Sequence, residues 1–350
     1  GEPGCAVFPG FSGAYGKIWG MRLRIDCAYD GTDFHGWAKQ RGQRTVQGEL
    51  ETAVNTVLHL DRAGQPGIGL IVAGRTDAGV HASGQVCHCD IDDDILGRAA
   101  GHLDPSLYTP WDALSYRLQG ILPPDIAVRK ISPAPEGFDA RFSASDRVYV
   151  YRVADSASRY DPRMRKFVLP VRCRLDSEEM NKAMGYAVGL HDFGSFASPN
   201  PGGTTIREVK FAVWQRIRPA VLADSVYHGE ARPGPARAVG SEPEGEGTEG
   251  AEGRNGAYAV TAVESGLLEF TVIADAFARN MVRSLVNASI QIGMGKKAAV
   301  WFRQKLAHPV REGETGPAPA CGLTLERVNY PAENLLKARA DAVRARRTLA

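Results

Sequence analysis

Two stretches of the chain alternate apolar and polar residues with a period of two. The first is MRLRIDCAY at 21–29 and the second is RVYVYRV at 147–153. Alternation of this kind is typical of a β-strand that buries one face. Because a strand needs neighbours to satisfy its backbone, the two stretches predict β-sheet structure in both halves of the chain.

Further strands and helices are predicted after each of these two stretches. Because strands and helices do not alternate strictly, a doubly wound dinucleotide-binding fold is disfavoured. We therefore predict an α+β fold with two similar domains, whose mainly antiparallel sheets are flanked by helices. Helices are predicted over 45–60, 176–189 and 277–292, and further strands near 68–73, 84–90, 126–131, 206–217, 257–264 and 267–274. The GMGKKA run at 293–298 follows a helix and is interpreted as the end of that helix.

Composition places the domain boundaries. An N-terminal α+β domain is predicted at 21–135 and a C-terminal α+β domain at 145–331. The segment 224–256 holds seven acids, three bases and almost no large apolar residue, so it is interpreted as a disordered acidic insert. Residues 1–20 are interpreted as a flexible N-terminal extension and 332–350 as a C-terminal tail.

Charge and cysteine content exclude several classes of protein. The chain has a net charge of +2. The acidic insert contributes −4, so the other residues together carry +6, which is compatible with a phosphate-bearing partner. Six cysteines without a CxxC pair favour a reducing cytoplasm over a disulfide framework. The CHC run at 87–89 has no second pair, so we expect no metal site. No apolar run is long enough to span a membrane.

One glycine-containing loop stands between two predicted strands. It reads AGRTDAGVHASGQV at 73–86 and combines three glycines with an arginine, a threonine and the carboxylate of Asp77. Glycine permits backbone geometry that other residues resist, so such a loop can hold a carboxylate in a fixed pose. An ordinary turn explains the same residues when they are read alone.

The GRTDAGVHA segment of this loop resembles the signature of the TruA-type tRNA pseudouridine synthases. Further segments resemble that family in the same order, and the similarity spans 21–331 apart from the acidic insert. Ala38, Asn287 and Cys321 depart from the usual family pattern. The similar segments are YDGTDFHGW, RTVQGELE, FDARFSASDRVYVYRV, LHDFGSF, TTIREV, FARNMVRSLV and PACGLTLERVNYP.

The resemblance implies a fold, a reaction and a partner. The fold is that of the pseudouridine synthases, with a central basic cleft between the two halves. The activity is that of an isomerase, which converts uridine to pseudouridine at positions 38–40 in the anticodon arm of tRNA. The reaction gains and loses no atom, so no cofactor is expected. A cytoplasmic homodimer is the implied form of the enzyme.

The resemblance also assigns the candidate site residues. Asp77 is implied to be the catalytic carboxylate, Arg283 its cationic partner and Tyr149 the ring that stacks on the base. Burial favours the neutral form of a carboxyl group, whereas an adjacent guanidinium favours the ionised form, so the pair suits a closed pocket. Arg75 is implied to fill the place of the extruded nucleotide. The candidate phosphate contacts are Lys39, Arg41, Arg141 and Arg279.

Several alternatives stay open at this level. Asp77 could attack C1′ of the ribose or take a proton from C2′. The chain could instead be an RNA-binding module without catalytic activity, or a pseudouridine synthase that acts on a different RNA. His81 and His191 lie in similar segments, and a structural role is expected for both. Helical spacing predicts that Arg279 and Arg283 share one face of a helix.

Overall fold

The computed structural model describes seven ranges of the chain, which are 20–60, 64–198, 203–218, 221–223, 260–261, 263–311 and 313–344. Two predicted segments, the acidic insert at 224–256 and all but the last residue of the N-terminal extension, lie outside the described residues. Half of the strand predicted at 257–264 lies outside them as well.

Among the described residues, the first half of the chain supplies four strands and three helices. β1 (Met21–Tyr29) lies between β3 (His81–Ile91) and β4 (Ile126–Pro133) and is antiparallel to both. The hydroxyl of Thr45 accepts a hydrogen bond from the Gly48 amide at 3.2 Å and so caps the first predicted helix. The elements are β1 (Met21–Tyr29), α1 (Val46–Val57), β2 (Ile71–Val72), β3 (His81–Ile91), α2 (Asp93–Gly97), α3 (Pro110–Ile121) and β4 (Ile126–Pro133). The strand and helix at 21–29 and 45–60 are confirmed, whereas α2 and α3 were not predicted.

The second half supplies more strands and four helices within the described residues. β5 (Asp146–Ala154) lies between β11 (Leu268–Ala274) and β12 (Leu323–Asn329) and is antiparallel to both, just as β1 is antiparallel to its two neighbours. The elements are β5 (Asp146–Ala154), β6 (Leu169–Pro170), α4 (Ser177–Gly185), β7 (Gly189–Asp192), β8 (Ile206–Arg216), β9 (Val221–Ala223), β10 (Val260–Thr261), β11 (Leu268–Ala274), α5 (Met281–Gly293), α6 (Ala299–Ala307), β12 (Leu323–Asn329) and α7 (Leu336–Arg344).

A single sheet joins the two halves. Its order is β4-β1-β3-β12-β5-β11-β8-β7, with β2 on β3 and β6 on β5. All of its pairs are antiparallel except β3 with β12 and β5 with β6. Mixed α and β content with a mainly antiparallel sheet is therefore confirmed. Because β12 bonds to a strand from each half, the two predicted domains share this sheet, and their division stays a prediction.

The core lies where helices cover the buried face of this sheet. In β1 the alternating residues Leu23, Ile25 and Cys27 are buried, as their spacing predicts. Helix α3 packs on β4 in the first half, and α4 packs on β8 and α5 in the second. Among the helices of the described residues, none combines the length and the apolar character that a membrane span requires.

The structure describes three further predicted segments, and only the first of them, helix α5, differs from its prediction. Helix α5 begins at Met281 rather than at 277, because Asn280 adopts a left-handed conformation with φ 63°. Arg279 therefore lies before the helix, and the predicted shared face with Arg283 is wrong. The GMGKKA run does end α5, with Gly295 at φ 72°. In the tail, α7 buries Leu336 and packs against the body of the protein.

Candidate active site

Asp77 lies in the short loop between β2 and β3. The loop is bound to the segment 31–37, since the Trp37 amide donates to the carbonyl of Thr76 at 3.0 Å and the Gly79 amide donates to that of Phe34 at 3.2 Å. Gly36 has φ +90°, and a Cβ there would lie 2.8 Å from the Thr76 carbonyl oxygen. Only glycine allows this close approach of the two backbones, so the segment 31–37 packs directly against the Asp77 loop and fixes it.

A buried polar network holds the loop from the side of the sheet. The Tyr29 hydroxyl on β1 lies 2.8 Å from the hydroxyl of Thr76. Gln85 on β3 is fully buried, and its amide nitrogen donates to Tyr29 Oη at 3.1 Å and to the carbonyl of Gly74 at 2.9 Å. Residues on both sides of Arg75 are therefore fixed by side chains from two strands.

Arg283 faces Asp77 from helix α5. Its Nη1 lies 3.7 Å from Oδ2 of Asp77, which is close enough for strong attraction but too long for a hydrogen bond. The Nε of Arg283 donates to the carbonyl of Ala318 at 2.6 Å, which fixes the guanidinium. The structure thus brings the predicted pair together.

The pair is not fully enclosed by protein. The side chain of Asp77 is 36% exposed, whereas that of Arg283 is 16% exposed. The sequence-based expectation of a closed pocket around the carboxylate is therefore not met by protein side chains alone. An open side on Asp77 leaves room for a substrate to approach its carboxylate oxygens.

Tyr149 lies in strand β5, near Asp77. Only 7% of its surface is exposed, and its ring packs edge-on against Phe277 with 5.1 Å between ring centroids. Burial raises the pKa of Tyr149 well above its usual value, and the nearby Asp77 carboxylate raises that pKa further. Tyr149 is therefore a neutral and mostly buried phenol ring near Asp77.

The candidate phosphate contacts and Arg75 lie on the surface of the protein. Four arginines at candidate RNA-contact positions are exposed, and their sequence positions are Arg41, Arg75, Arg141 and Arg279. Lys39 differs from them, because its ammonium group lies 3.2 Å from Oε2 of the buried Glu51. The arginines and the lysine are therefore all accessible, and the lysine also forms an ion pair with helix α1.

The two histidines of the similar segments make structural contacts. His81 accepts a hydrogen bond at Nδ1 from the Gly31 amide at 3.0 Å, and its Nε2 lies 2.8 Å from the carbonyl of Lys166. Burial lowers the pKa of His81, so the neutral ring with its proton on Nε2 fits both contacts. The Nε2 of His191 lies 3.0 Å from the carbonyl of Val188.

Sequence reasoning missed the residues that support the centre. In the sequence pattern Tyr29 falls on the same face of β1 as Leu23, Ile25 and Cys27, and no motif indicates a role for Gln85 or Phe277. A glutamine and a tyrosine at inward-facing positions of neighbouring strands are a signal of a buried polar network, since such groups need partners. Within the described residues, no group of three or more histidine, cysteine or acidic side chains is placed to hold a metal ion.

Comparison with known proteins identifies the family. Residues 183–331 match the family model described as tRNA pseudouridine synthase. A protein of Bifidobacterium longum strain DJO10A named tRNA pseudouridine synthase A is 52% identical over 332 residues, which cover 94% of this chain and 99% of that protein. The protein of the same name from Cutibacterium acnes is 40% identical over 327 residues, covering 93% and 95%. At this identity and coverage, the chain belongs to the tRNA pseudouridine synthase A family.

Proposed function

We propose that this protein isomerises uridine to pseudouridine at positions 38–40 in the anticodon arm of tRNA, with Asp77 as the catalytic carboxylate. The single observation that carries the assignment is the pairing of Asp77 with Arg283 at 3.7 Å, beside Tyr149. The names of the bacterial relatives support the same reaction and the same class of substrate.

The chemistry requires one ionised carboxylate at the ribose. The bond between C1′ and N1 of uracil breaks, the base turns, and C5 bonds to C1′ while its proton is released and N1 takes one up. Asp77 begins the reaction either by bonding to C1′ or by removing the C2′ proton. Arg283 stabilises the carboxylate charge at close range, where water is displaced by the nucleotide.

The base needs a surface on which it can turn. Tyr149, supported at its edge by Phe277, offers a neutral aromatic contact that tolerates more than one orientation of uracil. Taking a nucleotide out of a stem costs a few kcal/mol, and the exposed Arg75 is placed two residues from Asp77 to fill the gap. The nucleotide itself would complete the cover of Asp77.

The remaining parts of the proposal concern the whole molecule. We propose two similar domains with a basic cleft between them, in which Lys39, Arg41, Arg141 and Arg279 contact phosphates. A homodimer would let one RNA contact the basic surfaces of two copies, which suits the modest charge of one chain. A cytoplasmic location is supported by free thiols at the five described cysteines. Sedimentation at micromolar concentration tests the dimer.

Tritium release tests the reaction directly. The protein is incubated with tRNA labelled at uracil C5, and release from anticodon-arm uridines reports formation of the new bond. We expect Asp77→Asn to lower the rate by about 10³-fold or more, with RNA affinity nearly unchanged. Asp94→Asn, which alters an exposed acid of α2, serves as the matched control and should retain the wild-type rate.

Other outcomes would favour the rivals. Tight binding of tRNA by the wild-type protein without tritium release would favour a non-catalytic RNA-binding module. Release only from uridines outside the anticodon arm, or only from another RNA, would favour a synthase with a different substrate. Turnover by Asp77→Asn at the wild-type rate would remove Asp77 from its proposed role.

A further inference from the structure

We infer that Arg147 is a positioning residue, which sets the loop of Asp77 against Arg283 and Tyr149; the inference rests on the proposed function. Arg147 lies on β5, two residues before Tyr149 and on the same face of the strand. The alternating sequence pattern of β5 does not predict a functional role for Arg147.

The guanidinium of Arg147 bonds to three separate segments of backbone. Its Nη1 donates to the carbonyl of Asp275 at 2.6 Å. Its Nη2 donates to the carbonyls of Ala73 at 2.8 Å and Arg141 at 2.7 Å. The residue is only 8% exposed, so these bonds are shielded from water. One buried side chain therefore ties together three stretches of chain that are far apart in sequence.

Each of the three segments leads to a residue of the candidate site. Ala73 enters the loop that carries Asp77 four residues later. Asp275 directly follows β11 and precedes Phe277 and helix α5, which carries Arg283. Arg141 presents its own side chain to solvent at a candidate RNA contact. The Arg147 guanidinium thus fixes the relative places of the carboxylate, its cationic partner and the ring.

An arginine suits this task better than any other residue. Its planar group carries five N–H donors in a rigid fork, so it can bond several carbonyl oxygens in different directions at once. A lysine in its place would keep the charge but offer a compact ammonium, which cannot span the same three oxygens. Small displacements of reacting groups are costly, since a misplacement of about 1 Å can lower a rate by about 10²-fold.

The test separates positioning from general support of the fold. Arg147→Lys and Arg147→Met are compared with the wild-type enzyme in single-turnover tritium release, with folding checked by circular dichroism and tRNA affinity measured by filter binding. Arg117→Met is the matched control, because Arg117 on α3 also donates to two backbone carbonyls, those of Arg98 and Ala99.

We expect the single-turnover rate to fall by about 10-fold for Arg147→Lys and about 100-fold for Arg147→Met. The affinity for tRNA should stay within about threefold, because the surface contacts with RNA remain. Arg117→Met should lose stability but keep the wild-type rate per folded molecule. A merely structural role for Arg147 would give the same result as this control.

The remaining outcomes are also decisive. Wild-type rates in both folded Arg147 variants would overturn the inference and leave the proposed function intact. Failure of both variants to fold at any temperature would overturn it too, since Arg147 would then be needed for the fold itself. Absence of turnover by the wild-type enzyme would instead overturn the proposed function, and this inference with it.

Discussion

The backbone of the Asp77 loop and the side chains of three exposed arginines, here called the outer arginines (Arg41, Arg75 and Arg279), are held in opposite ways. Backbone groups of residues 73–79 bond to 31–37, to β3 and to Arg147, and side chains from two strands complete the set. The side chains of Arg41, Arg75 and Arg279 are exposed, and within the described residues they form no ion pair. The loop that carries the proposed catalytic carboxylate is fixed, whereas the side chains proposed to contact RNA are free to adjust.

This difference follows from what each region has to do. A carboxylate that acts on one bond gains from a fixed position, because no free energy is spent on ordering it during the reaction. Side chains that meet phosphates along a flexible RNA gain little from rigidity, since each contact contributes a modest electrostatic term. Substitutions near Asp77 should therefore lower the rate of reaction, and substitutions among the outer arginines should lower affinity.

The largest effect in this comparison should come from Arg283. Replacing it with methionine keeps much of the apolar stem but removes the charge 3.7 Å from Asp77. We expect Arg283→Met to lower the single-turnover rate by about 10²-fold or more, with tRNA affinity within about threefold. Arg303→Met, at an exposed position of α6, is the control and should behave as wild type.

A contrary pattern for Arg283 would change its assignment. If Arg283→Met weakened tRNA binding strongly while bound tRNA reacted at the normal rate, Arg283 would belong with the outer arginines. The distinction between the two regions would then fail at its most important residue.

A smaller effect is expected from the buried network behind the loop. Tyr29→Phe removes the hydroxyl that Thr76 and Gln85 share and leaves both with one hydrogen bond fewer. We expect a loss of about 1–3 kcal/mol in the free energy of unfolding and a rate lowered by several-fold. Urea denaturation and tritium release measure the two quantities on the same sample.

The control for Tyr29 is a buried hydroxyl elsewhere in the protein. Ser195 is fully buried and lies within hydrogen-bond distance of the carbonyls of Lys305 and Val310. Ser195→Ala should lose comparable stability at an unchanged rate. Equal rates for both variants would mean that the network stabilises the fold without aiding the position of Asp77.

Much of the fold could be predicted from periodicity. The alternation in β1 and β5, and the helical spacing of apolar residues in α1, identified those elements because each is determined by neighbouring residues. The parallel pairing of β3 with β12 could not be predicted, since it joins residues more than 240 positions apart. Helix α3 was missed although Thr109 and Pro110 form a good helix start.

The candidate site, like the fold, could be predicted only in part. Family resemblance indicated Asp77, Arg283 and Tyr149, and the structure places the first two 3.7 Å apart. The resemblance gave no indication of Arg147 or Gln85, because Arg147 bonds to backbone carbonyls, as Gln85 does in part, and no side-chain pattern records such contacts. The start of α5 was also misplaced, since the helical pattern continues through Asn280 while its backbone does not.

The smallest effect per substitution should come from the outer arginines. Arg279→Ala removes one exposed charge next to α5 and disturbs no ion pair among the described residues. We expect tRNA affinity to fall by about 3–10-fold at low salt, and the rate for bound tRNA to stay the same. The slope of log affinity against log salt concentration should decrease by about 0.7 to 1, because one phosphate contact is lost.

Combining substitutions makes this last comparison sharper. In the double variant Arg41→Ala with Arg279→Ala, the two losses in the free energy of tRNA binding should add, because exposed contacts act independently. The slope of log affinity against log salt concentration should fall by about twice the value for a single variant. Arg303→Ala on α6 controls for the loss of charge alone and should leave the slope unchanged. A double variant that binds tRNA normally but reacts slowly would place these arginines with the Asp77 loop. Unchanged affinity, slope and rate would instead show that RNA reaches Asp77 over another part of the surface.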